Sequence, residues 1–418
     1  MNFKFPPALR STQFTLIVSG LFLSAIGSRM QFFALLWHIS VLAPGQPIFL
    51  GLVGLTRIIP IILFSLVSGV VADSFPRKRI MYITQSVQTV LALTLGYLTL
   101  SGNVQLWHLY ALTGLEAAAF SFDLPARQSL VPNLLPREHL PNAFSLQSMA
   151  FTLASVAGPM LAGIVIAAPG LGQGWAYILN AISFAAILVA LLLMGAVPQR
   201  VRKDFKLDFS AVREGIDYIW NARLIHSSMI LDFIATFFSS ATALLPVFAQ
   251  DILHVDAYGY GLLGAAQSVG AGLTGLALSL MPDLRRQGPI LLWSVVAYGL
   301  ATVIFGLSDV FLLSFLALAG VGASDTVSMV IRNTIRQLQT PDEMRGRMTS
   351  INQMFFVGGP QLGELEAGVA AQLFGPVFAV VSGGIGCILG VAWIARRWPE
   401  LHSYNGDEEI LAGASAAD

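Results

Sequence analysis

Ionisable residues interrupt the long apolar runs of this sequence at only a few places: Arg29, Arg57, Glu116, Asp232, Asp325, Glu364 and Glu366. A carboxyl in apolar surroundings can take up and release a proton, because burial favours its neutral form and a nearby arginine its charged form. An arginine there can serve as counter-ion or hold an anion. Glu364 and Glu366 stand two apart, about 200° around a helix, so they cannot face the same way. Enzyme chemistry finds little support. There is no G-x-x-x-x-G-K-[ST] phosphate loop, and the six histidines show no H-E-x-x-H spacing. His38 and His108 are expected at a membrane interface rather than as ligands. The single Cys387 sits in an apolar run, which predicts an inert buried thiol. No catalytic residue, metal site or cofactor is expected.

These residues must be positioned by membrane helices. The chain is 55% hydrophobic and 11% charged, with mean hydropathy +0.72. A soluble fold would need about 25% charged residues, whereas lipid accepts helices that are apolar all round. Lys plus Arg and Asp plus Glu both number 23, so nothing in the charge suggests a nucleic-acid partner. Runs of about 20 apolar residues predict spans at 14–40, 49–72, 79–101, 106–124, 142–168, 174–197, 224–250, 258–280, 289–307, 310–331, 348–373 and 375–396. Lys4 and Arg10 precede the first, but no small-residue cleavage site follows and apolar sequence resumes after Arg29, so it is read as a retained helix. With both termini inside, every Lys and Arg except Arg29 and Arg57 falls in an inside segment, as cytoplasmic loops require.

The longest inside loop divides the chain. We expect an N-terminal six-helix bundle at 1–197, a basic linker with an amphipathic surface helix at 198–223, a C-terminal six-helix bundle at 224–398 and a polar tail at 399–418. The halves share a weak repeat at a fixed offset of 205 residues: Arg127 with Arg332, Pro136 with Pro341, Glu138 with Glu343, Ser145 with Ser350 and Gly158 with Gly363. Both stretches run from the end of a fourth helix through an inside loop into a fifth. That is the mark of a parallel repeat about an axis along the membrane normal.

Between the second and third spans the chain reads Gly69-Val70-Val71-Ala72-Asp73-Ser74-Phe75-Pro76-Arg77-Lys78-Arg79. This resembles the signature of the major facilitator superfamily, although Ser74 stands where a basic residue is usual and Pro76 where a glycine is usual. Ile26-Gly27-Ser28-Arg29-Met30-Gln31, Phe122-Asp123-Leu124-Pro125-Ala126-Arg127-Gln128 and Thr340-Pro341-Asp342-Glu343-Met344-Arg345-Gly346-Arg347 resemble the drug-efflux branch that includes the enterobactin exporter and macrolide efflux proteins. Gly158-Pro159 with Gly163 is similar to the fifth-helix motif of exporters, with ordinary small-residue packing as the other reading.

The resemblance implies an all-α membrane protein of twelve transmembrane helices in two six-helix bundles, with both termini cytoplasmic. It implies a gating set of Gly69, Asp73, Arg77, Arg79, Asp123 and Arg127, in which Gly69 allows close helix approach and Arg77 reaches Asp123. It also implies that the first, fourth, seventh and tenth helices line the cavity. Asp232, Glu116, Asp325, Glu364 and Glu366 are then candidates for proton coupling. Arg29, Gln31, Phe33, Trp37, Arg57, Phe237, Met354 and Phe355 are candidates for the substrate cavity, with Phe32, Phe238 and Phe356 beside them. Aromatic and methionine side chains there suit varied amphipathic ligands. The expected function is secondary active export of a small amphipathic molecule (drug, siderophore or metabolite) by a monomer in the plasma, or bacterial inner, membrane. Proton antiport is the expected drive, with sodium the alternative ion. A lipid flippase on the same fold is the nearest rival, and a receptor or scaffold that has lost transport is a third class.

Overall fold

A computed structural model describes residues 6–195, 197, 199, 217–240, 242–281, 284–341 and 344–406, with backbone alone at 66, 345–347, 349–351, 353, 354 and 356. Every regular element among the described residues is helical. The long helices are α1 Thr12–Leu42, α2 Ile48–Ser74, α3 Arg77–Leu100, α4 Leu106–Leu130, α5 Leu140–Ala167, α6 Gln173–Leu193, α7 Arg223–Phe238, α8 Ala257–Leu280, α9 Gln287–Leu307, α10 Phe311–Gln339, α11 Arg345–Phe374 and α12 Pro376–Arg397; a short α13, Pro399–Ser403, follows. Local chemistry sets several ends. Ser11 Oγ accepts from Phe14 N at 3.3 Å and caps α1. Gln105 and His108 cap α4 reciprocally. Gly375, at φ +92°, ends α11, and Pro376 opens α12.

Nine helical segments among the described residues are long and apolar enough to cross a membrane on length and composition. The nine do not include α3, α4 or α11, although the hydropathy pattern predicts a span in each. The reason is polar content turned inward. Gln85 and Gln88 on α3, Asp123 on α4 and Glu364 on α11 are all buried. The seventh span, expected as one helix over 224–250, is broken. After Phe238 the chain leaves the helix, then makes a 3-10 turn at Thr242–Leu244, one turn at Leu245–Val247 and a π turn at Phe248–Ile252. Pro246 falls in the first turn of the new segment, where its missing N–H is not needed, and Ser240 Oγ, at the break, donates to Pro360 O at 3.3 Å.

The chain forms two compact units. Unit one is Met1–Gly45, Leu55–Leu207 and His254–Ala265; unit two is Gln46–Gly54, Asp208–Leu253 and Ala266–Asp418. In unit one, Ile17, Met81, Ala126, Leu130, Ile187 and Leu191 form a core. In unit two, Leu231, Leu291, Ile331, Ile335, Cys387 and Ile394 do. Cys387 is fully buried, as its apolar run predicts. Gly158 and Gly363, matched by the repeat, do the same job in their own units. A Cβ on Gly158 would meet Arg29 Cβ and, at 3.1 Å, Ile26 O on α1. One on Gly363 would meet Thr236 O at 2.7 Å on α7. Small-residue packing therefore accounts for Gly158. The same offset links Gly163, which meets Gly261 in unit one, to Gly368, which meets Gly51 in unit two.

The linker positions 201–216, holding most of the expected amphipathic stretch 209–220, lie outside the described residues, as do tail positions 407–418 and Asp342 and Glu343. The rest of the tail is less polar in its packing than its composition predicts. Leu401 and Tyr404 are buried, and Tyr404 O accepts from Gly288 N at 2.8 Å.

Candidate functional site

Unit one holds a one-way chain of hydrogen bonds across α6, α1 and α4. Asn180 Nδ2 donates to Gln31 Oε1 at 2.8 Å, and Gln31 Nε2 donates to Glu116 Oε2 at 2.6 Å. Ser183 Oγ lies 2.7 Å from Asn180 O and 3.0 Å from Asn180 Oδ1, so its one proton serves either acceptor. Each donor points toward the carboxyl of Glu116. A side chain at position 27 would collide with Asn180 and Ser183, so Gly27 makes room for the chain. Arg29 and Arg57 also lie in this unit. The Arg29 guanidinium sits 5.0 Å from the centre of the Phe151 ring, and that of Arg57 4.7 Å from Phe32. Arg57 is within electrostatic reach of both Glu116 and Arg29. Phe33 and Trp37 contact Tyr260, with ring centres 5.8 and 5.1 Å apart. His38 is buried rather than interfacial, because its Nδ1 and the Tyr177 hydroxyl, 3.0 Å apart, satisfy each other. His108 caps α4.

Unit two holds an arginine between two aspartates. Arg332 on α10 forms an ion pair with Asp232 on α7, and its Nη2 is 3.5 Å from Asp325 Oδ1 on its own helix. The side chains of Arg332 and Asp232 are 6% and 12% exposed, against 47% for Asp325. Sequence reasoning placed Arg332 in an inside loop. The structure corrects this: α10 runs on to Gln339 and carries Arg332 into the core. The repeat match pairs Arg332 with Arg127, and both lie within long helices rather than loops. Glu364 is buried on α11 beside the start of α2, where a Cβ on Gly54 would touch its Cβ at 3.1 Å. Glu366 is half-buried. Phe237 stacks on Phe233 with centres 5.6 Å apart, and Phe355 meets Phe233 edge-on at 6.3 Å. The side chains of Met354 and Phe356 lie outside the described residues.

The expected gating set is arranged differently from the resemblance. Asp123 is fully buried, but its partner is Arg127, one helical turn on, and not Arg77. Thr84 Oγ1 and Gln85 Nε2 each donate to its Oδ1 at 3.0 Å. Arg77 turns to carbonyls, with Nη1 donating to Ser129 O at 2.8 Å and Nε to Ala72 O at 3.5 Å. Asp73 is exposed and lies 3.9 Å from Arg77, and Arg79 is exposed as well. Gly69 makes no close approach, since a Cβ there would meet nothing within 4 Å. The sequence placed Asp123 and Arg127 at or beyond a helix end. Because α4 continues to Leu130, the two instead share one helix face.

Residues 4–409 match the transmembrane secretion effector family of major facilitator transporters. Among curated proteins, the chain is 28% identical over 383 residues to the enterobactin exporter EntS of Citrobacter koseri, covering 90% of this chain and 87% of the relative. It is 28% identical over 357 residues to EntS of Salmonella typhimurium, covering 84% and 82%. Among solved structures, it resembles a bacterial homologue of the human lysosomal transporter Spinster with a TM-score of 0.75 at 14% identity, covering 96% of this chain and 99% of that one. A bacterial homologue of the iron transporter ferroportin gives 0.65 at 18% identity, with 94% and 99% covered. With its membrane-crossing helices, the chain belongs to the transmembrane secretion effector family and is a multi-pass inner-membrane efflux transporter of the major facilitator superfamily, not an enzyme.

Proposed function

We propose that this chain is a secondary active exporter of a small amphipathic molecule of siderophore or drug type, working by alternating access and driven by proton antiport. Twelve membrane helices in two six-helix bundles, with both termini cytoplasmic, complete the reading. Similarity to proteins named as enterobactin exporters supports the siderophore class. The observation that carries coupling is the Asp232–Arg332–Asp325 group. The two carboxylates compete for one guanidinium. Protonating buried Asp232 cancels its claim and passes the charge of Arg332 toward the more exposed Asp325. Arg336 on α10 and Tyr298 on α9 lie within electrostatic reach of the group. If two conformations hydrate Asp232 differently, they differ in proton affinity, and each pKa unit is worth about 1.4 kcal/mol of bias.

The test is transport in everted membrane vesicles from a host stripped of its own exporters, with enterobactin and ethidium as probes. Accumulation under an acid-inside gradient, abolished by a protonophore, is the expected result. Accumulation that survives the protonophore and stops when sodium is withdrawn would move the coupling to sodium. No movement of either probe would count against the proposed substrate class.

A further inference from the structure

We propose that Arg29 and Arg57 form a subsite for the carboxylate of an aromatic acid, a substrate class that rests on the export reading and narrows it. Among the described arginines that are buried or half-buried, these two differ from the rest. Arg127 has Asp123, Arg332 has Asp232 and Asp325, Arg336 has Asn333, and Arg77 has two carbonyls. Among the described residues, Arg29 and Arg57 have no ion pair and no side-chain hydrogen bond; each instead lies over a phenylalanine ring. Both are half-buried.

A guanidinium carries five N–H donors in a planar fork. A ring beneath one face leaves the edge donors available to an acceptor in the guanidinium plane. Glu116 is the carboxylate within electrostatic reach of Arg57, but its Oε2 is held by Gln31, which Asn180 fixes in turn. Among the described residues of unit one, two guanidiniums thus stand with the carboxyl of Glu116, and they repel each other. Charge in a membrane helix needs a counter-charge. An incoming carboxylate supplies it, binding the forks in the bidentate geometry that arginine favours. Phe32 and Phe151, already beside the two forks, offer ring faces to an aromatic body.

The local build supports a fixed site. Gly158 lets α5 approach the Cβ of Arg29. Phe151 stands seven residues before Gly158 on α5, two turns along the same face, which is why its ring reaches the same arginine.

The experiment uses the purified full chain in phosphatidylcholine nanodiscs without a gradient, with salicylate and its neutral relative salicylamide as probes. Salicylate should bind about tenfold more tightly than salicylamide, the effect of about one charge-assisted pair. Arg29→Gln and Arg57→Gln should each bring that ratio close to one. Arg57→Lys should keep part of it, since charge remains and the fork is lost. Glu116→Gln leaves both arginines in place and should tighten salicylate by removing a competing negative charge. Equal binding of the two probes, or an unchanged ratio in both glutamine variants, overturns the proposal. So does a salicylate site that phosphatidylglycerol occupies in its place, which would make the ligand a lipid headgroup. If the ratio is one while gradient-driven ethidium export persists, the subsite fails and the export reading stands. If export fails while the ratio holds, the reverse is true.

Discussion

Arg332 on α10 reaches to Asp232 on α7, whereas Arg127, its counterpart 205 positions earlier, stays within α4 and pairs with Asp123. The repeat explains the difference. The position equivalent to Asp123 in the second half is Ser328, so Arg332 has no carboxylate one turn behind it. It bonds instead to a neighbouring helix and to Asp325, two turns back. Of the two arginines matched at this offset, Arg127 thus supports a single helix in unit one, and Arg332 links two helices in unit two.

Asp232→Asn should abolish proton-driven accumulation while leaving passive exchange of the probe. It keeps the size of the side chain and removes its titration. Removing one member of a buried pair costs about 3–5 kcal/mol, and Asp325 should hold the loss near the lower end. Arg332→Met alone should destabilise more, because it leaves Asp232 buried without its cation. The double variant Asp232→Asn, Arg332→Met should recover stability but not coupling. Thermal unfolding in detergent and vesicle transport separate the two effects. Full proton-driven accumulation by Asp232→Asn would make Asp232 structural and turn the search to Glu116.

Asp123→Ala should lower stability by about 2–4 kcal/mol, since Arg127, Thr84 and Gln85 all lose a buried acceptor. Asp73→Asn breaks only an exposed contact and should cost about 0–1 kcal/mol. Comparing the melting temperatures of the two variants checks this. A larger drop for Asp73→Asn would show that the exposed aspartate has a buried partner in another conformation.

Gly158→Val should cost about 1–3 kcal/mol, as overpacking does in a filled interior, because its side chain would run into Arg29 and the backbone of α1. It should also weaken any ligand that depends on Arg29. Gly69→Ala, inside α2 with open space around it, should not lower the melting temperature and should stabilise by about 0.5–1 kcal/mol, the cost of a glycine in a helix interior. Equal shifts in the two variants would mean that the α1–α5 approach is not tight.

A reporter inserted at Gly45 or Gly172 should read external, and one fused after Trp398 cytoplasmic. The placement of Lys and Arg sets this expectation. A cytoplasmic reading at Gly172 would break the twelve-helix topology.

Apolar run length and the positions of Lys and Arg are properties of the chain itself, and they marked this protein as a membrane helix bundle without any tertiary information. The loop at 69–79 and the stretches around Arg29, Asp123 and Pro341 were enough for the efflux resemblance. Which charged groups pair with which was not legible. An arginine side chain reaches several ångströms, so the choice between Arg77 and Arg127 for Asp123, or between a loop and Asp232 for Arg332, depends on where neighbouring helices place their faces. Helix ends decided it in two cases: α4 and α10 run about two turns past the expected span ends at 124 and 331, and Asp123 and Arg332, each paired inside, need no loop. The order of donors from Asn180 through Gln31 to Glu116 likewise requires three helices at fixed rotation. Sequence sets which groups must leave lipid; only packing decides which partner each of them meets.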